Sequence, residues 1–206
     1  MILVPPADRA TDRTADLSLH CRQLRRAAAA VVRDRGMLRA TPRAITAAAR
    51  LPRSSFESCY PNRAALLAAV MRRHLDALTC WVLAAREAAA TEEAAARLEA
   101  MIGAYLASAL AERDAHRMLL RCADEPARAD RDAVRRRGRG LAEMFGAVLA
   151  EAVPSADPAQ VALVARSLCS AMSGAVLWFD PDGVLDLRAF ARMLAAMALE
   201  GITPTP

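Results

Sequence analysis

The stretch Ala40–Leu66, ATPRAITAAARLPRSSFESCYPNRAAL, decides the fold of this chain. Thr41 and Pro42 mark a helix start, because threonine can cap a helix and proline lacks the N–H that has no partner at the first helical position. Pro52 and Pro61 each interrupt the apolar period before them, since proline restricts the preceding residue and cannot continue a helix. The pattern predicts two short helices, a tight turn and the start of a longer third helix.

The second short helix has a basic and hydroxylic leading edge. Arg53, Ser54 and Ser55 occupy its first turn, while Phe56 and Tyr60 form an apolar face that belongs to the core. Arginine can pair with guanine through two hydrogen bonds, and serine can pair with several bases. Two short helices with such an edge indicate a helix-turn-helix that reads the major groove.

The same stretch resembles the DNA-binding part of the tetracycline-repressor (TetR) family of transcriptional regulators, whose pattern is T-x-x-x-I-A-x-x-A-G-V-S-x-G-T-L-Y-x-H-F-x-S-K-x-x-L. The matching positions are Thr41, Ile45, Ala49, Leu51 for the family's valine, Arg53, Ser55, Phe56, Tyr60 for its phenylalanine, Asn62, Arg63 for its lysine, and Leu66. The resemblance implies a regulator that binds double-stranded DNA and forms a homodimer through its last two helices. Two heads about one DNA turn apart would read a palindromic operator.

Several positions depart from the family pattern. Arg50 stands where the family's turn has glycine, which accepts positive φ without a Cβ clash. Pro52 replaces a capping serine, Ser54 replaces a glycine, and Cys59 replaces a histidine. Glu57 replaces a tyrosine that commonly contacts a phosphate in the family, and a carboxylate facing DNA would repel it. These departures leave a second hypothesis open: a dimer of the same fold that binds a ligand or partner, with weakened or lost DNA binding.

Six residues are predicted to contact DNA: Thr41, Arg43, Arg53, Ser54, Ser55 and Arg63. Arg43 lies near the start of the first short helix, where backbone N–H groups and a guanidinium can share one phosphate. Arg63 begins the long helix and would hold the DNA backbone. Thr41 is the weakest candidate, because helix capping alone explains it.

The charge of the chain is uneven. Residues 1–70 hold twelve arginines against five acidic residues, whereas residues 71–206 hold sixteen against eighteen, for a net charge of +5. A basic N-terminal third on a slightly acidic body is typical of a nucleic-acid-binding head joined to a second domain. The same excess of arginine in the first 70 residues would also arise if arginine-rich helix faces were simply exposed to water.

Composition and apolar periods predict an all-α fold of about nine helices. Hydrophobic residues make up 55% of the chain, much of it alanine, while aromatic residues make up 4%. Helices are predicted over about 16–35, 63–89, 91–111, 116–123, 128–152, 159–179 and 187–200, besides the two short ones. We expect a disordered arm over residues 1–16, a helix-turn-helix domain over 17–62, and a domain for ligand binding and dimerisation over 63–206.

The eighth predicted helix is apolar on almost every side. Arg166 and three serines argue against a membrane span, so such a helix must be buried on two sides. Leu168, Met172 and Val176 would face the body. Small residues on the other side would allow close approach of the helices of a second copy, as the resemblance implies.

The body is expected to bind a small apolar or amphipathic effector. Met101, Tyr105, Phe145 and Met172 are the predicted pocket residues, although ordinary core packing would explain each of them. Binding would move the two heads out of register with successive major grooves, as expected of a repressor.

Sequence motifs for catalysis are missing. The chain has no glycine-rich phosphate loop, no G-x-S-x-G and no H-E-x-x-H, and His20, His74 and His116 are isolated from one another in sequence. We therefore expect no enzymatic activity, no cofactor and no metal. An all-α enzyme or a plain helical interaction protein is a third hypothesis that no motif supports.

The five cysteines are scattered and form no CxxC pair, and no signal peptide pattern precedes them. They are expected to be free, mostly buried thiols in a cytoplasmic protein.

Overall fold

The computed structural model describes residues 7–202, and nine α-helices account for most of that range. They are α1 (Ala7–Arg35), α2 (Pro42–Ala49), α3 (Arg53–Cys59), α4 (Arg63–Ala88), α5 (Ala94–Ala111), α6 (Arg113–Arg121), α7 (Arg128–Ala152), α8 (Pro158–Ala175) and α9 (Leu187–Glu200). One turn of 3-10 helix, Met37–Arg39, joins α1 to α2. The predicted all-α fold of about nine helices is confirmed.

Side-chain caps begin several of the helices. Thr41 Oγ1 accepts a hydrogen bond from the Ala44 N–H at 3.2 Å, and Asn62 Oδ1 accepts one from the Ala65 N–H at 2.9 Å. Each bond satisfies a backbone donor that has no partner inside the helix. Gly36 follows α1 at φ 78°, a left-handed conformation that glycine adopts readily at the end of a helix.

The head consists of α1, α2 and α3. Leu24, Ile45 and Phe56 are buried where these helices meet, and full burial of such side chains contributes about 1.5–3 kcal/mol each. Tyr60, just after α3, closes this core: its hydroxyl accepts a hydrogen bond from Arg25 Nη1 at 2.9 Å and donates one to the Cys21 carbonyl at 3.2 Å. Phe56 and Tyr60 are core residues, as predicted.

The body is built around α5, which packs against α4, α7 and α9. Within residues 7–202, α5 is the one helix long and apolar enough to cross a membrane by length and composition. Leu98, Met101, Ile102 and Leu106 of α5 are fully buried against the other helices. This burial is the arrangement of a core helix in a helical bundle.

Some predicted boundaries were wrong. Helix α1 begins at Ala7, inside the predicted arm, because residues 7–35 contain neither proline nor glycine; residues 1–6 of that arm lie outside the described range. Helix α5 begins at Ala94 without a side-chain cap, so Thr91 does not start it. Helix α8 ends at Ala175, since Phe179 turns back and stacks on Phe190 with 4.7 Å between ring centroids.

Two side chains of α4 differ in exposure from the usual preference of their residue type. Trp81 is 60% exposed, because the packed face of that helix runs through Leu78 and Val82. His74 is 1% exposed.

The prediction of five free thiols was wrong for two of them. Cys21 of α1 and Cys59 of α3 form a disulfide, with 5.5 Å between their Cα atoms. The docking of α3 on α1 brings these distant positions together, which no spacing in the sequence could show. Cys80, Cys122 and Cys169 are free.

Candidate functional site

The first turn of α3 carries the most exposed candidates for DNA contact. The Arg53 side chain is 83% exposed, and Ser54 is exposed beside it. The opposite side of α3 packs into the head through Phe56, which is 4% exposed. Because one side of this short helix is fixed in the core, Arg53 and Ser54 are held outward on a rigid support.

Ser55 does not reach the surface. It is 7% exposed and lies beside Phe56 on the packed side of α3. Its contact with base edges stays a prediction, and it would require movement of this largely buried side chain. In a helix, successive residues point in directions about one quarter turn apart, so a run of three polar residues cannot keep one face.

Glu57 shares the outward side of α3 with Arg53. The Nε atom of Arg53 lies 3.0 Å from Oε1 of Glu57, and the Glu57 side chain is 63% exposed. An exposed pair of this spacing stabilises a helix by about 0.3–0.5 kcal/mol. A phosphate or a guanine can therefore compete for the guanidinium at modest cost.

Thr41 and Arg43 lie at the start of α2. The Thr41 hydroxyl caps that helix, as predicted from its position. Arg43 is exposed, and its guanidinium forms no ion pair with any described residue. Arg43 thus remains free to contact a phosphate, whereas Thr41 has a structural role that needs no DNA.

Arg63 at the start of α4 is engaged inside the protein. Its Nη1 donates to the Met37 carbonyl at 3.0 Å, and its Nη2 lies 3.0 Å from Glu125 Oε2. These bonds tie the head to the segment after α6. Contact of Arg63 with DNA stays a prediction, and it would require these bonds to break or be shared.

Arg50 lies in the turn between α2 and α3 at φ 54° and ψ 39°. Within residues 7–202 it is the one non-glycine residue with positive φ. Such a conformation costs a residue with a Cβ about 1–2 kcal/mol. The turn therefore has the geometry of the family's glycine position but is built with an arginine.

The predicted pocket residues lie together in the body. Met101, Tyr105, Phe145 and Met172 are all buried, and the rings of Tyr105 and Phe145 are 6.4 Å apart between centroids. They pack directly into the core of the bundle. Their contact with an effector stays a prediction.

A polar cluster in the same core was missed from the sequence. His74 Nε2 of α4 lies 2.8 Å from His116 Nδ1 of α6, and His74 Nδ1 lies 3.3 Å from Glu112 Oε2. The Tyr105 ring packs edge-on against His116, and its hydroxyl is 2.7 Å from Ser173 Oγ. The two histidines are far apart in sequence, and the packing of α4 on α6 brings them together without any shared sequence signal.

The carboxylate fixes the tautomers along this cluster. Glu112 can only accept, so His74 donates from Nδ1 and accepts at Nε2 from the Nδ1–H of His116. His116 Nε2 is then an acceptor, and it is buried without a hydrogen-bond partner among the described residues. The backbone of Ser173 lies near the His116 ring and favours its protonated form.

Burial governs the protonation of the cluster. Burial, with a smaller contribution from the neighbouring His74, lowers the pKa of His116 to about 4. Burial also lowers the pKa of His74, although the Glu112 hydrogen bond opposes the shift. Both rings are therefore neutral at pH 7.

Comparisons with known proteins point to one family. A family model described as tetracyclin repressor-like, C-terminal domain, matches residues 91–202. The structure is similar to a TetR-family transcriptional regulator from Bordetella parapertussis 12822, with a TM-score of 0.77, 19% identity and coverage of 88% of this chain and 94% of that one. A bacterial regulatory protein in the tetR family from Rhodococcus RHA1 gives a TM-score of 0.77 at 20% identity, covering 91% and 98%.

A third similar structure is AibR in complex with isovaleryl coenzyme A and operator DNA. Its TM-score is 0.73 at 20% identity, covering 86% of this chain and 97% of that one. At such identities the likeness establishes the fold. No curated protein matches the chain in sequence.

Proposed function

The chain belongs to the tetracycline-repressor family, and from this premise we propose that it is a homodimeric cytoplasmic regulator that binds a palindromic operator through α3. The observation that carries the proposal is the outward placement of Arg53 and Ser54 on a helix whose other side is fixed in the head. A rigid helix tip with an exposed arginine is suited to reading base edges in the major groove. Arg43 would add a phosphate contact from the start of α2.

The proposed dimer interface is formed by α8 and α9. Large apolar side chains remain exposed along these helices and the turn between them: Leu163, Leu177, Trp178, Met193 and Met197. Water-exposed apolar groups of this size favour association with another surface. A second copy would cover them and place two heads on one duplex.

We further propose that a small apolar or amphipathic effector releases the protein from its operator, so that the protein acts as a repressor. The AibR structure, which has the same fold, holds isovaleryl coenzyme A together with operator DNA. The effector must bind the two states of the protein with different affinity, since equal affinity would shift nothing.

Selection of bound fragments from genomic DNA, followed by fluorescence anisotropy on the selected duplex, tests the proposed function. We expect binding that is selective for sequence and that weakens steeply with salt, since phosphate contacts release counterions. Failure to bind any duplex at low salt would contradict the proposal.

The dimer is tested separately by sedimentation of Leu163→Glu/Met197→Glu. This variant should be monomeric, because two buried carboxylates would oppose association. Leu38→Glu is the matched control, since Leu38 is 90% exposed in the head and lies outside the proposed interface. A dimeric double variant would exclude this interface.

A second candidate function is that of a dimer that binds a ligand or partner without reading DNA. The pairing of Arg53 with Glu57 favours it, because the carboxylate lowers the positive charge at the tip of α3. A chain that is dimeric but binds no duplex at low salt would support this candidate.

A further inference from the structure

An open groove of about 770 Å³ lies where α1, α4 and the junction of α5 and α6 meet. Six arginines line it: Arg22, Arg25, Arg26 and Arg33 from α1, Arg73 from α4, and Arg113 from α6. Two carboxylates, Glu112 and Asp114, line it as well. The groove therefore has a large excess of positive charge on a concave surface shared by the head and the body.

Several of the charged groups already have partners inside the protein. Asp114 is paired with Arg33, and Glu112 faces His74. Arg25 donates to the Tyr60 hydroxyl, and Arg113 Nη2 donates to the Phe179 carbonyl at 2.9 Å. Asp114 is therefore committed to Arg33, whereas Glu112 bonds the neutral His74 and keeps its negative charge in the groove, which still leaves an excess of positive charge from the arginines.

The other three arginines are free in the described part of the chain. Arg22, Arg26 and Arg73 form no ion pair and no side-chain hydrogen bond with any residue in the range 16–202. Arg22 and Arg26 are one helical turn apart, so their charges repel each other along α1. An anion bound between α1 and α4 would remove this repulsion and gain charge-assisted hydrogen bonds.

The groove also has apolar lining residues, which are Ala29, Val70, Ala111 and Ala115. A volume of about 770 Å³ is within the range of sites for small-molecule ligands. Apolar side chains beside several guanidinium groups suit a ligand that has both a flat or apolar part and two or more negative charges.

We propose that this groove binds a small phosphate-bearing molecule, with a nucleoside diphosphate group as the minimal unit. Guanidinium groups match phosphate oxygens in charge and in paired hydrogen-bond geometry. The inference rests on the proposed function and deepens it, because it gives the chemical class of the effector. The ligand would touch the head through α1 and the body through Ala111 and Ala115. Its binding could therefore favour one arrangement of the head relative to the body over another.

A DNA backbone is the competing occupant. Arg25, the groove arginine that contacts the α3 region, bonds Tyr60 beyond the C-terminal end of α3, whereas Arg53 lies at the N-terminal end. Residues 111–115, at the junction of α5 and α6 in the body, also line the groove. A compact ligand fits this position better than a duplex lying against the tip of α3.

Calorimetric titration of the full chain with ADP at low salt, without DNA, tests the proposal. We expect ADP to bind, adenosine to bind much more weakly, and Arg26→Ala/Arg73→Ala to weaken ADP binding about tenfold or more. The matched control is Arg136→Ala/Arg139→Ala, which removes two exposed arginines from α7 outside the groove. Circular dichroism should show the same helix content in all variants.

Two results would overturn the proposal. One is ADP binding no tighter than adenosine, and the other is an equal loss of ADP affinity in both double variants. A groove variant that keeps ADP affinity but loses duplex affinity would assign the groove to DNA and would also overturn it. Because the titration contains no DNA, a chain that binds ADP but no operator would contradict the proposed function alone.

Discussion

Arg53 and Glu57 face each other across one turn of α3, with 3.0 Å between Nε and Oε1. Both side chains project from the head into solvent, so the residue that is best placed to read a base is also paired with a carboxylate. The pair holds the guanidinium along the helix when no DNA is present. It also opposes the approach of phosphates, so its two members should affect DNA binding in opposite directions.

Replacing Arg53 should weaken specific DNA binding. We expect Arg53→Ala to cost about 1–3 kcal/mol of operator affinity, the usual value of a side chain that bonds a base edge. Anisotropy titration at fixed salt measures the change. Arg136→Ala, an exposed arginine on α7, should bind as the parent does, and an unchanged Arg53→Ala affinity would remove this residue from the reading surface.

Replacing Glu57 should strengthen DNA binding. Glu57→Gln keeps the size of the side chain but removes the charge that competes for Arg53, and an exposed pair of this spacing accounts for about 0.3–0.5 kcal/mol. The gain should shrink at high salt, because the charge of an exposed carboxylate is then screened. Equal affinities of the parent and Glu57→Gln at low salt would show that this carboxylate does not face DNA.

The turn before α3 should be more stable with glycine. Arg50 holds φ 54°, and Arg50→Gly removes the Cβ clash of that conformation. We expect a gain of about 0.5–1 kcal/mol in the free energy of unfolding, after the larger entropy of glycine in the unfolded chain is subtracted. Urea denaturation measures it. Arg50→Ala keeps the Cβ and should show no gain, so a similar gain in both variants would assign the effect to the lost charge.

The sequence predicted those features that depend on neighbours along the chain. Thr41 caps α2, and Phe56 and Tyr60 pack into the head as their spacing predicts. Each of these outcomes follows from local backbone geometry and helical period. Arg53 could be placed at an exposed helix tip for the same reason.

The remaining features depend on which helices pack together. Nothing near His74 in the sequence indicates that it bonds His116, and nothing near Cys21 indicates a bond to Cys59. Ser55 lies on the packed side of α3, whereas Arg53 and Ser54 point outward, because successive residues of a helix point in different directions. The arginine groove likewise forms only when α1, α4 and α6 meet.

The bond between Cys21 and Cys59 should stabilise the head. A cross-link over a separation of 38 residues restricts the unfolded chain, and disulfides typically contribute about 2–4 kcal/mol. We expect Cys59→Ser to lower the free energy of unfolding by that amount in oxidised samples. With a reducing agent present, the parent should lose most of this difference. Cys80→Ser, at an exposed free cysteine, is the control, and an equal loss in both variants would argue against the cross-link.

The pair of His74 and His116 should make stability depend on pH in a defined window. Burial lowers the pKa of His116 from 6.5 to about 4, so the unfolded chain takes up a proton in this range that the folded protein does not. Stability must therefore fall as the pH drops from about 6.5 to about 4, by up to about 3 kcal/mol for a shift of this size. Below that range the contribution of His116 should be constant.

Urea denaturation across this pH range measures the effect. His116→Asn cannot titrate, and its amide can still donate to His74 Nε2 in place of the Nδ1–H. We expect this variant to lose part of the pH dependence while keeping helix content at pH 7. His20→Asn, on α1 outside the cluster, should keep the parent's dependence. If the free energy of unfolding depended on pH in the same way for the parent and for His116→Asn, burial would not be keeping His116 neutral in the folded protein. The buried cluster would then not govern stability in acid.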